Sequence, residues 1–556
     1  MRRRQDPGAG QGLVSTAQLR RSMRQKWLGR RLGALVTGQR TLVAAEVPLT
    51  LALTSEAAKD DPDLGASYAE LMDLGLVDER AAVVTMLLVE RMRGRESRYA
   101  PWIRLLPTSF TTPLWFDEEQ LRELRGTTLA AAAATHMRTL RAQWQRLQPA
   151  VAAMLRQVNA PEEPAFEDFA WAYSVFWSRG QSLPVPERAA AAEEEGERGG
   201  AAGGALRVVV REGVVPGLDF ANHSAQANCW WEVVEADLGA GPARAASGQL
   251  EGGGGGSSSS RSSSTGGVNG HGCYVQLVTN RACLPKAGSE LTISYGDKSN
   301  EELLMLYGFA TQNNPNDQLM IPCPLPPRQE WPDETVGRLR LLQARGLRPQ
   351  LFLSASRLAA LQEGAPGRER GSALDGDARR VLEAFVMSPA ELAARLDALE
   401  RGGGGGGGDD DDEEWPAGGG EGRPAGSGAG AGARAAAAAR VERLGAEMAL
   451  ITTLVRLLEL KVVELEGEEE GTGPLEGDEV RLEEQGGGRL APWLRSCLLY
   501  RAGQKRLARG WLAAARRELQ ETLGALRAAE EAERGTGEAE DTSGVAPVAA
   551  AAATAG

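Results

Sequence analysis

Two short motifs, Val215–Ser224 (VPGLDFANHS) and Glu290–Phe309 (ELTISYGDKSNEELLMLYGF), stand on either side of an insert rich in glycine and serine. The sequence around them offers short segments of β-branched and aromatic residues, which are typical of strands. These strand candidates are Arg207–Arg211, Trp230–Val234, Tyr274–Val278 and Leu291–Tyr295. Because turn residues interrupt them at short intervals, they predict small, curled β-sheets.

Composition limits the kinds of protein this chain can be. The chain has 556 residues and a formal net charge of −13. Non-specific nucleic-acid binding needs clustered Lys and Arg against phosphates, so this acidity argues against it. The length suggests about three or four domains, but the long low-complexity stretches cannot bury a core, so we expect fewer. No apolar run reaches the roughly 18 residues of a transmembrane helix, so we expect no membrane partner.

The cysteines do not form a metal-binding pattern. They are Cys229, Cys273, Cys283, Cys323 and Cys497. A structural zinc site needs closely spaced ligands such as a C-x-x-C pair, so we expect no metal. Scattered free thiols suit a reducing compartment.

Helices are predicted before the first motif. Residues 66–160 read as helical, with an apolar face around Met86 and Met92, and contain the run Ser97–Pro107 (SRYAPWIRLLP). We interpret most of these residues as core packing. A further helix is predicted over Phe166–Pro184, because large apolar residues recur there at spacings of three and four.

That helix ends in the tetrapeptide Ser-Arg-Gly-Gln, which includes Arg179. Beyond it, Ala189–Ala205 and Gly239–Gly270 are tracts of Ala, Glu, Gly and Ser. Such composition cannot bury enough apolar surface to order itself, so we interpret both tracts as surface insertions between strands.

The C-terminal part has a different character. Apolar residues step by three and four along one stripe from Leu444 to Val462, and a second helix carries Leu512 to Leu526. We interpret Gly402–Asp412 and the acidic stretch Glu466–Gly488 as linkers, and the tail after Glu533 as disordered. The stripe alone would equally suit a coiled coil or an unrelated helical bundle.

The order of the motifs identifies a family resemblance. Ser-Arg is followed by Asp-x-x-Asn-His-Ser and then by Tyr-Gly-x-x-Ser-Asn-x-Glu-Leu-x-x-x-Tyr-Gly-Phe. This series resembles the C-terminal half of a SET domain, in the branch of Rubisco large-subunit lysine methyltransferase. Ser97–Pro107 resembles the helical insert of that branch, and Tyr500–Lys505 (YRAGQK) resembles its C-terminal domain.

The resemblance implies an α+β fold. We expect a SET domain of small curled β-sheets with a helical insert, followed by an all-α C-terminal substrate-binding domain. The predicted segments are an uncertain N-terminal segment (1–41), the SET domain (42–326, with its insert at about 66–160), the substrate-binding domain (327–533) and a disordered tail (534–556).

The opening turn of such a domain is harder to assign. Gly10–Thr16 (GQGLVST) resembles it, with Leu42–Pro48 as the strand that follows and Arg20–Arg40 as an insert. A competing alignment puts the turn at Leu32–Val36. Residues 1–41 are also Arg-rich and poor in acids, which is typical of an organelle-targeting remnant.

The resemblance implies that the methyl donor is S-adenosylmethionine, and it also implies which residues bind this donor. Asn222 and His223 would lie against the donor, Arg179 would meet its carboxylate, and Phe309 would stack near the adenine. Gly10 and Gly12 would let the backbone close over it.

Two tyrosines would perform the chemistry. By the same resemblance, Tyr295 would face the methyl group and the acceptor amine, and Tyr307 would line the lysine channel. The implied function is protein-lysine N-methylation of a non-histone protein, such as the Rubisco large subunit or another plastid or cytosolic protein. We expect a monomer, in the chloroplast or the cytoplasm.

Two alternatives stay open. Actin-modifying histidine methyltransferases share the fold, but they carry Trp at the position of Leu218 and Asn after an Arg-Gln pair. Here Arg179 is followed by Gly180 and Gln181, and both departures favour lysine. The other alternative is an inactive SET-fold interaction protein, which the unclear opening turn supports.

Overall fold

A computed structural model describes residues 41–160, 163–188, 206–235, 272–280, 284–363, 372–374, 376–401, 429–484 and 490–543. The chain divides into two compact units. The first unit contains residues 1–115, 132–297 and 305–308, and the second contains residues 116–131, 298–304 and 309–556.

Strands occur in both units. In chain order, those of the described residues are β1 (Thr41–Pro48), β2 (Leu53–Thr54), β3 (Gln181–Arg188), β4 (Leu206–Val214), β5 (Asn222–His223), β6 (Cys229–Glu235), β7 (Cys273–Asn280), β8 (Thr292–Ile293), β9 (Gln318–Pro322) and β10 (Gln350–Ser354).

The α-helices of the described residues are α1 (Ser55–Lys59), α2 (Gly65–Asp73), α3 (Glu79–Met92), α4 (Ala100–Ile103), α5 (Glu118–Arg122), α6 (Thr128–Gln157), α7 (Phe166–Arg179), α8 (Asn300–Glu302), α9 (Asp333–Ala344), α10 (Ala355–Glu363), α11 (Gly376–Val386), α12 (Pro389–Arg401), α13 (Ala429–Glu466), α14 (Leu475–Glu484) and α15 (Pro492–Ser543). Short 3₁₀ turns and one π-helix, Leu303–Tyr307, complete this part of the chain.

The described residues of the first unit form three small sheets. Their orders are β1-β7-β6 and β2-β4-β3, both antiparallel, and a parallel pair of β5 with β8. Side chains from all three sheets share one apolar cluster, which includes Leu183, Val275 and Ile293. The predicted small β-sheets are therefore confirmed, and so is the strand predicted at Leu42–Pro48.

The helix predicted over Phe166–Pro184 is shorter than expected. Helix α7 ends at Arg179, because Gly180 adopts an extended backbone conformation with φ −66° and ψ 143°. The chain continues as β3, which contains Pro184. Proline lacks an N–H and does not suit a helix interior. Among the described strands, β3 lies at the edge of its sheet and pairs with β4, and proline is tolerated in an edge strand.

A second apolar cluster holds the helices of the first unit together. It includes Leu87 and Val83 of α3, and Phe169 of α7 stacks on Trp144 with 5.3 Å between ring centroids. Tyr99 and Trp102, from the run that resembles the helical insert, are also buried in it. The helical reading of residues 66–160 is thus confirmed.

Long helices dominate the second unit. The predicted apolar stripe lies on α13, where Ile451 and Leu458 are fully buried, and α13 packs against α15. The antiparallel pair β9–β10 also lies in this unit, so the unit is mostly rather than wholly helical. Helix α15 runs to Ser543, into the segment predicted as a disordered tail.

The acidic stretch predicted as a linker is not one throughout. Helix α14 lies within it, and Asp478 on that helix is buried against Arg501 and Lys505 of α15. Acidic composition indicated solvent exposure, but two cations of the Tyr500–Lys505 motif pair with this carboxylate. The same motif donates from Tyr500 Oη to the Glu301 carboxylate at 2.9 Å.

Several predictions fall outside the described residues. They concern Gly10 and Gly12, the alternative turn at Leu32–Val36, the tracts Ala189–Ala205 and Gly239–Gly270, Gly402–Asp412 and Cys283. Cys229, Cys323 and Cys497 are free and buried, and Cys273 is buried as well. Within the described part of the chain, no helix combines the length and apolarity needed to cross a membrane.

Candidate functional site

The two motifs meet at the parallel pair β5–β8. Asn222 lies opposite Thr292, and His223 lies opposite Ile293. The N–H of Ser224 extends the pairing by donating to the Ile293 carbonyl at 3.0 Å. Two remote segments are therefore joined through their backbones, which fixes the relative position of the side chains that follow each of them.

Asn228 locks this crossing. Its Nδ2 donates to the Glu290 carbonyl at 2.8 Å, and its Oδ1 accepts from the Thr292 N–H at 2.9 Å. The backbone carbonyl of Asn228 accepts from the Thr279 hydroxyl at 2.8 Å. One amide side chain thus ties the second motif to the strand that follows the first motif.

Tyr295 lies directly against the first motif. Its backbone N–H donates to His223 Nδ1 at 3.1 Å, and its hydroxyl donates to the Ala221 carbonyl at 3.0 Å. Burial raises the pKa of Tyr295, so the phenol stays protonated at neutral pH. Burial lowers the pKa of His223, so its ring stays neutral and Nδ1 can accept.

Tyr307 ends the π-helix and packs on Tyr295. The two ring centroids are 4.7 Å apart, with 32° between the ring planes. Gly308 follows with φ +80°, a conformation that favours glycine, and an added Cβ would stand 2.4 Å from Thr111 Oγ1. The Thr111 hydroxyl donates to the Gly308 carbonyl at 3.2 Å. The glycine of the Tyr-Gly-Phe triplet thus lets the chain turn closely past Thr111.

Asp219 holds Arg179 through Nη1. Its Nη1 donates to the Asp219 carbonyl at 3.0 Å and to Asp219 Oδ2 at 3.1 Å. Its Cζ lies 5.6 Å from the Phe220 ring centroid. Arg179 Nε is buried and has no hydrogen-bond partner among the described residues.

The remaining predicted site residues are placed as follows. Asn222 is exposed, and its Nδ2 donates to Glu290 Oε1 at 2.5 Å. Phe309 is half-buried and belongs to the second unit. Gly10 and Gly12 lie outside the described residues. The structure therefore brings Arg179, the Asn-His pair and both tyrosines into one unit, with direct contacts from Tyr295 to His223 and to Tyr307.

Sequence reasoning gave no role to four residues that shape this site. Asp219 holds Arg179, and Trp102 holds Asp219 with an Nε1 to Oδ1 distance of 3.1 Å. Asn228 and Glu290 anchor the crossing. The sequence could have indicated a role for Asp219, because this carboxylate, three residues before Asn222, is part of the Asp-x-x-Asn-His-Ser motif. Among the described residues, no group of three or more His, Cys, Asp or Glu is arranged to hold a metal ion.

Comparisons with known proteins give sequence relatives and structural neighbours. No family model matches the chain. An actin-histidine N-methyltransferase of Drosophila melanogaster is 26% identical over 249 residues, covering 42% of this chain and 36% of that protein. The ribosomal lysine N-methyltransferase set10 of Schizosaccharomyces pombe is 23% identical over 265 residues, covering 46% of this chain and 36% of its own length. The chain thus spans about a third of the length of these curated relatives.

The structural likeness extends over more of the chain. A crystal structure of the SET domain of LSMT bound to lysine and AdoHcy matches with a TM-score of 0.52 and 17% identity, covering 87% of this chain and 83% of that one. The same domain bound to methyl-lysine and AdoHcy matches with a TM-score of 0.51. The chain therefore has the SET-domain fold of the Rubisco LSMT structures, and the resemblance predicted from its two motifs is confirmed.

Proposed function

We propose that the chain is an S-adenosylmethionine-dependent protein-lysine N-methyltransferase that acts on a non-histone protein. The observation that carries this proposal is the parallel crossing of β5 and β8, which sets the Tyr295 hydroxyl against the Ala221 carbonyl beside the Asn-His pair. Both sequence relatives reported above are named as protein methyltransferases, one of lysine and one of histidine.

The residues around Arg179 suit an amino-acid ligand such as the methionine part of the donor. The buried Arg179 Nε lacks an acceptor among the described residues, and a carboxylate would supply one. Two residues further on, the buried Gln181 Oε1 lacks a donor in the same part of the chain, and an ammonium group would supply one. S-Adenosylmethionine carries both groups, and it supplies an activated methyl group when bound.

Tyr295 suits the orientation of an acceptor amine. Because its hydroxyl hydrogen is given to the Ala221 carbonyl, its oxygen keeps lone pairs that can accept an N–H. A lysine must be neutral to react, and its ordinary pKa is about 10.4. The packed rings of Tyr295 and Tyr307 offer an apolar wall, which would lower that pKa by desolvation.

Histidine is the second candidate acceptor, because actin-histidine methyltransferases are among the relatives. Leu218 favours lysine. It is buried in the apolar cluster against which Tyr295 packs, and it stands where the histidine enzymes carry Trp. A smaller side chain leaves room for a long, flexible acceptor. The substrate is then a protein, as for the named relatives, and we propose that the enzyme acts as a monomer in the chloroplast or the cytoplasm.

The test uses the full chain, tritiated S-adenosylmethionine and a lysate of the source cells as acceptor. Acid hydrolysis of the labelled protein band separates methyl-lysine, which we expect, from methyl-histidine, which would move the assignment to the second candidate. Tyr295→Phe should lower the transfer rate by about 10- to 100-fold with little change in donor affinity. Tyr274→Phe, outside the site, is the matched control.

Two results would contradict the proposal. Absence of both label and calorimetric donor binding would indicate an inactive SET-fold interaction protein. Unchanged turnover in Tyr295→Phe would remove that hydroxyl from the chemistry while leaving the methyltransferase assignment intact.

A further inference from the structure

Asp219 is a buried carboxylate with an unusually complete set of donors. Its side chain is 0% exposed. Oδ1 accepts from the Gly217 N–H at 2.8 Å and from Trp102 Nε1 at 3.1 Å. Oδ2 accepts from Arg179 Nη1 at 3.1 Å. A buried charge is tolerated only when it is paired and hydrogen-bonded, and Asp219 meets both conditions.

The hydrogen bonds of Arg179 show how Asp219 fixes the orientation of the guanidinium. The two hydrogens of Arg179 Nη1 are taken up by the carbonyl and the carboxylate of Asp219. The guanidinium is planar, so fixing Nη1 also fixes the edge formed by Nε and Nη2. That edge carries two parallel N–H donors, the arrangement that binds a carboxylate through two bonds. Nε, one of the two, is buried and lacks a hydrogen-bond partner among the described residues.

Trp102 supplies a link to the helical insert. It lies on α4, within the run Ser97–Pro107, and is buried in the helical cluster of the first unit. Its indole N–H reaches both oxygens of Asp219, at 3.1 and 3.2 Å. An indole is a donor only, so it stabilises the charged form of the carboxylate. The insert, whose residues we interpreted from the sequence mostly as core packing, therefore contacts Asp219, the residue that binds Arg179.

We propose that Asp219 is a positioning residue that presents the Nε–Nη2 edge of Arg179 to the donor carboxylate, and that Trp102 positions Asp219. This inference rests on the proposed function. Without Asp219, the Arg179 side chain would regain rotamer freedom, which an incoming carboxylate would then have to restrict again. The loss should therefore appear in the affinity for ligands that carry a carboxylate.

Two ligands separate positioning from general support of the fold. S-Adenosylhomocysteine carries the amino-acid carboxylate, whereas 5′-methylthioadenosine lacks the amino acid altogether. In Asp219→Asn, calorimetry should show the Kd of S-adenosylhomocysteine rising by about 10- to 100-fold, the range for a lost bond to a charged group. The Kd of 5′-methylthioadenosine should change by less than about 2-fold, because Arg179 does not meet that ligand.

A double-mutant cycle tests whether Asp219 acts through Arg179. Once Arg179→Met is present, adding Asp219→Asn should raise the Kd of S-adenosylhomocysteine no further, because the two residues then act on one contact. Full additivity would contradict the inference.

A milder variant covers the case in which Asp219→Asn does not fold. Trp102→Phe removes only the indole donor, and the Kd of S-adenosylhomocysteine should rise by about 2- to 10-fold, the range for a neutral hydrogen bond. Trp144→Phe is the matched control, since Trp144 is equally buried but stacks on Phe169. It should leave both affinities at the wild-type value.

The outcomes distinguish this inference from the proposed function. If the wild-type chain binds both ligands and Asp219→Asn weakens them equally, Asp219 only supports the fold and the positioning role is wrong. If the wild-type chain binds neither ligand, the donor site itself is wrong, and the proposed function and this inference are both overturned.

Discussion

Two buried aspartate–arginine pairs, one from each unit, differ in how much of the arginine they use. In the first unit, Asp219 engages only Nη1 of Arg179. In the second unit, Arg501 Nε and Nη2 both donate to Asp478 Oδ1, at 2.8 and 2.5 Å. Nη1 of Arg501 donates to the carbonyl of Glu123 at 3.1 Å and also to its carboxylate.

The charged groups of the second pair therefore all have partners within the protein. Lys505 Nζ supplies the other Asp478 oxygen with a donor at 2.6 Å, so two cations share one carboxylate, with Glu123 as the balancing charge. Every nitrogen of the Arg501 guanidinium has a protein acceptor. Arg179 differs, because its Nε has no acceptor among the described residues, and this difference supports the proposed contact with a ligand carboxylate.

We expect the largest effect on stability from a change in the second pair, Asp478–Arg501. Asp478→Ala leaves the cations of Arg501 and Lys505 buried without their carboxylate, and removing one partner of a buried pair costs about 3–5 kcal/mol. We expect urea denaturation to show this loss in the transition of the second unit. A loss below about 1 kcal/mol would mean that the network is hydrated and behaves like a surface pair.

The first pair should respond in the opposite way. Arg179→Met leaves Asp219 with the donors of Trp102 and Gly217, and burial already raises the pKa of this carboxyl, so it can take up a proton rather than stay an unpaired buried charge. We therefore expect only about 1–2 kcal/mol of destabilisation, the cost of lost bonds to a charged group. The affinity for S-adenosylhomocysteine should fall by about 10- to 100-fold. A stability loss as large as that of Asp478→Ala, with unchanged affinity, would erase the distinction between the two pairs.

Acid should weaken the first unit through His223. Burial lowers its pKa below the ordinary value of about 6.5, so the unfolded chain takes up a proton more readily than the folded one. Stability is thus fully present above pH 6.5 and declines as pH falls, and donor affinity falls with it, because protonated Nδ1 cannot accept from the Tyr295 N–H.

His136 contributes with the same sign, since burial lowers its pKa too, so the measurement compares the wild-type chain with His223→Asn. Calorimetric titrations with S-adenosylhomocysteine from pH 5 to 8 should show a weaker acid dependence in the variant. Identical profiles would mean that His223 does not titrate in this range.

The smallest effect is expected for an exposed ion pair. Arg340 and Glu400 are 3.4 Å apart, with side chains 61% and 65% exposed. Such pairs contribute about 0–1 kcal/mol, so Glu400→Ala should change the free energy of unfolding by less than about 0.5 kcal/mol. Thermal unfolding at two salt concentrations checks this, and a larger change would show that exposure is a poor guide to the two buried pairs as well.

Sequence patterns predicted much of this fold because they report local periodicity. The stripe on α13 and the helices of residues 66–160 follow from residue spacing, whereas the strand at Leu42–Pro48 was expected from the family resemblance. The end of α7 was placed too late, at Pro184, because the prediction ran past Gly180, where the helix stops and after which β3 begins at Gln181.

The partners of buried charges could not be predicted in this way. Asp478 stood in an acidic run that predicted a linker, and only the folded chain brings Arg501 and Lys505 to it. Asp219 and Trp102 lie 117 residues apart, so neither motif indicated their bond. The roles assigned to Asn222, His223 and the tyrosines stay predictions, supported by the contacts around Tyr295.

The crossing of β5 and β8 has a consequence for how the protein is made. Tyr295 follows His223 by 72 residues. At the usual speed of translation, about 5–20 residues per second, the ribosome delivers the second segment about 4–14 s after the first. During that interval the Asn-His segment of the nascent chain lacks its β8 partner. A messenger truncated before codon 290 would therefore yield a protein without the crossing.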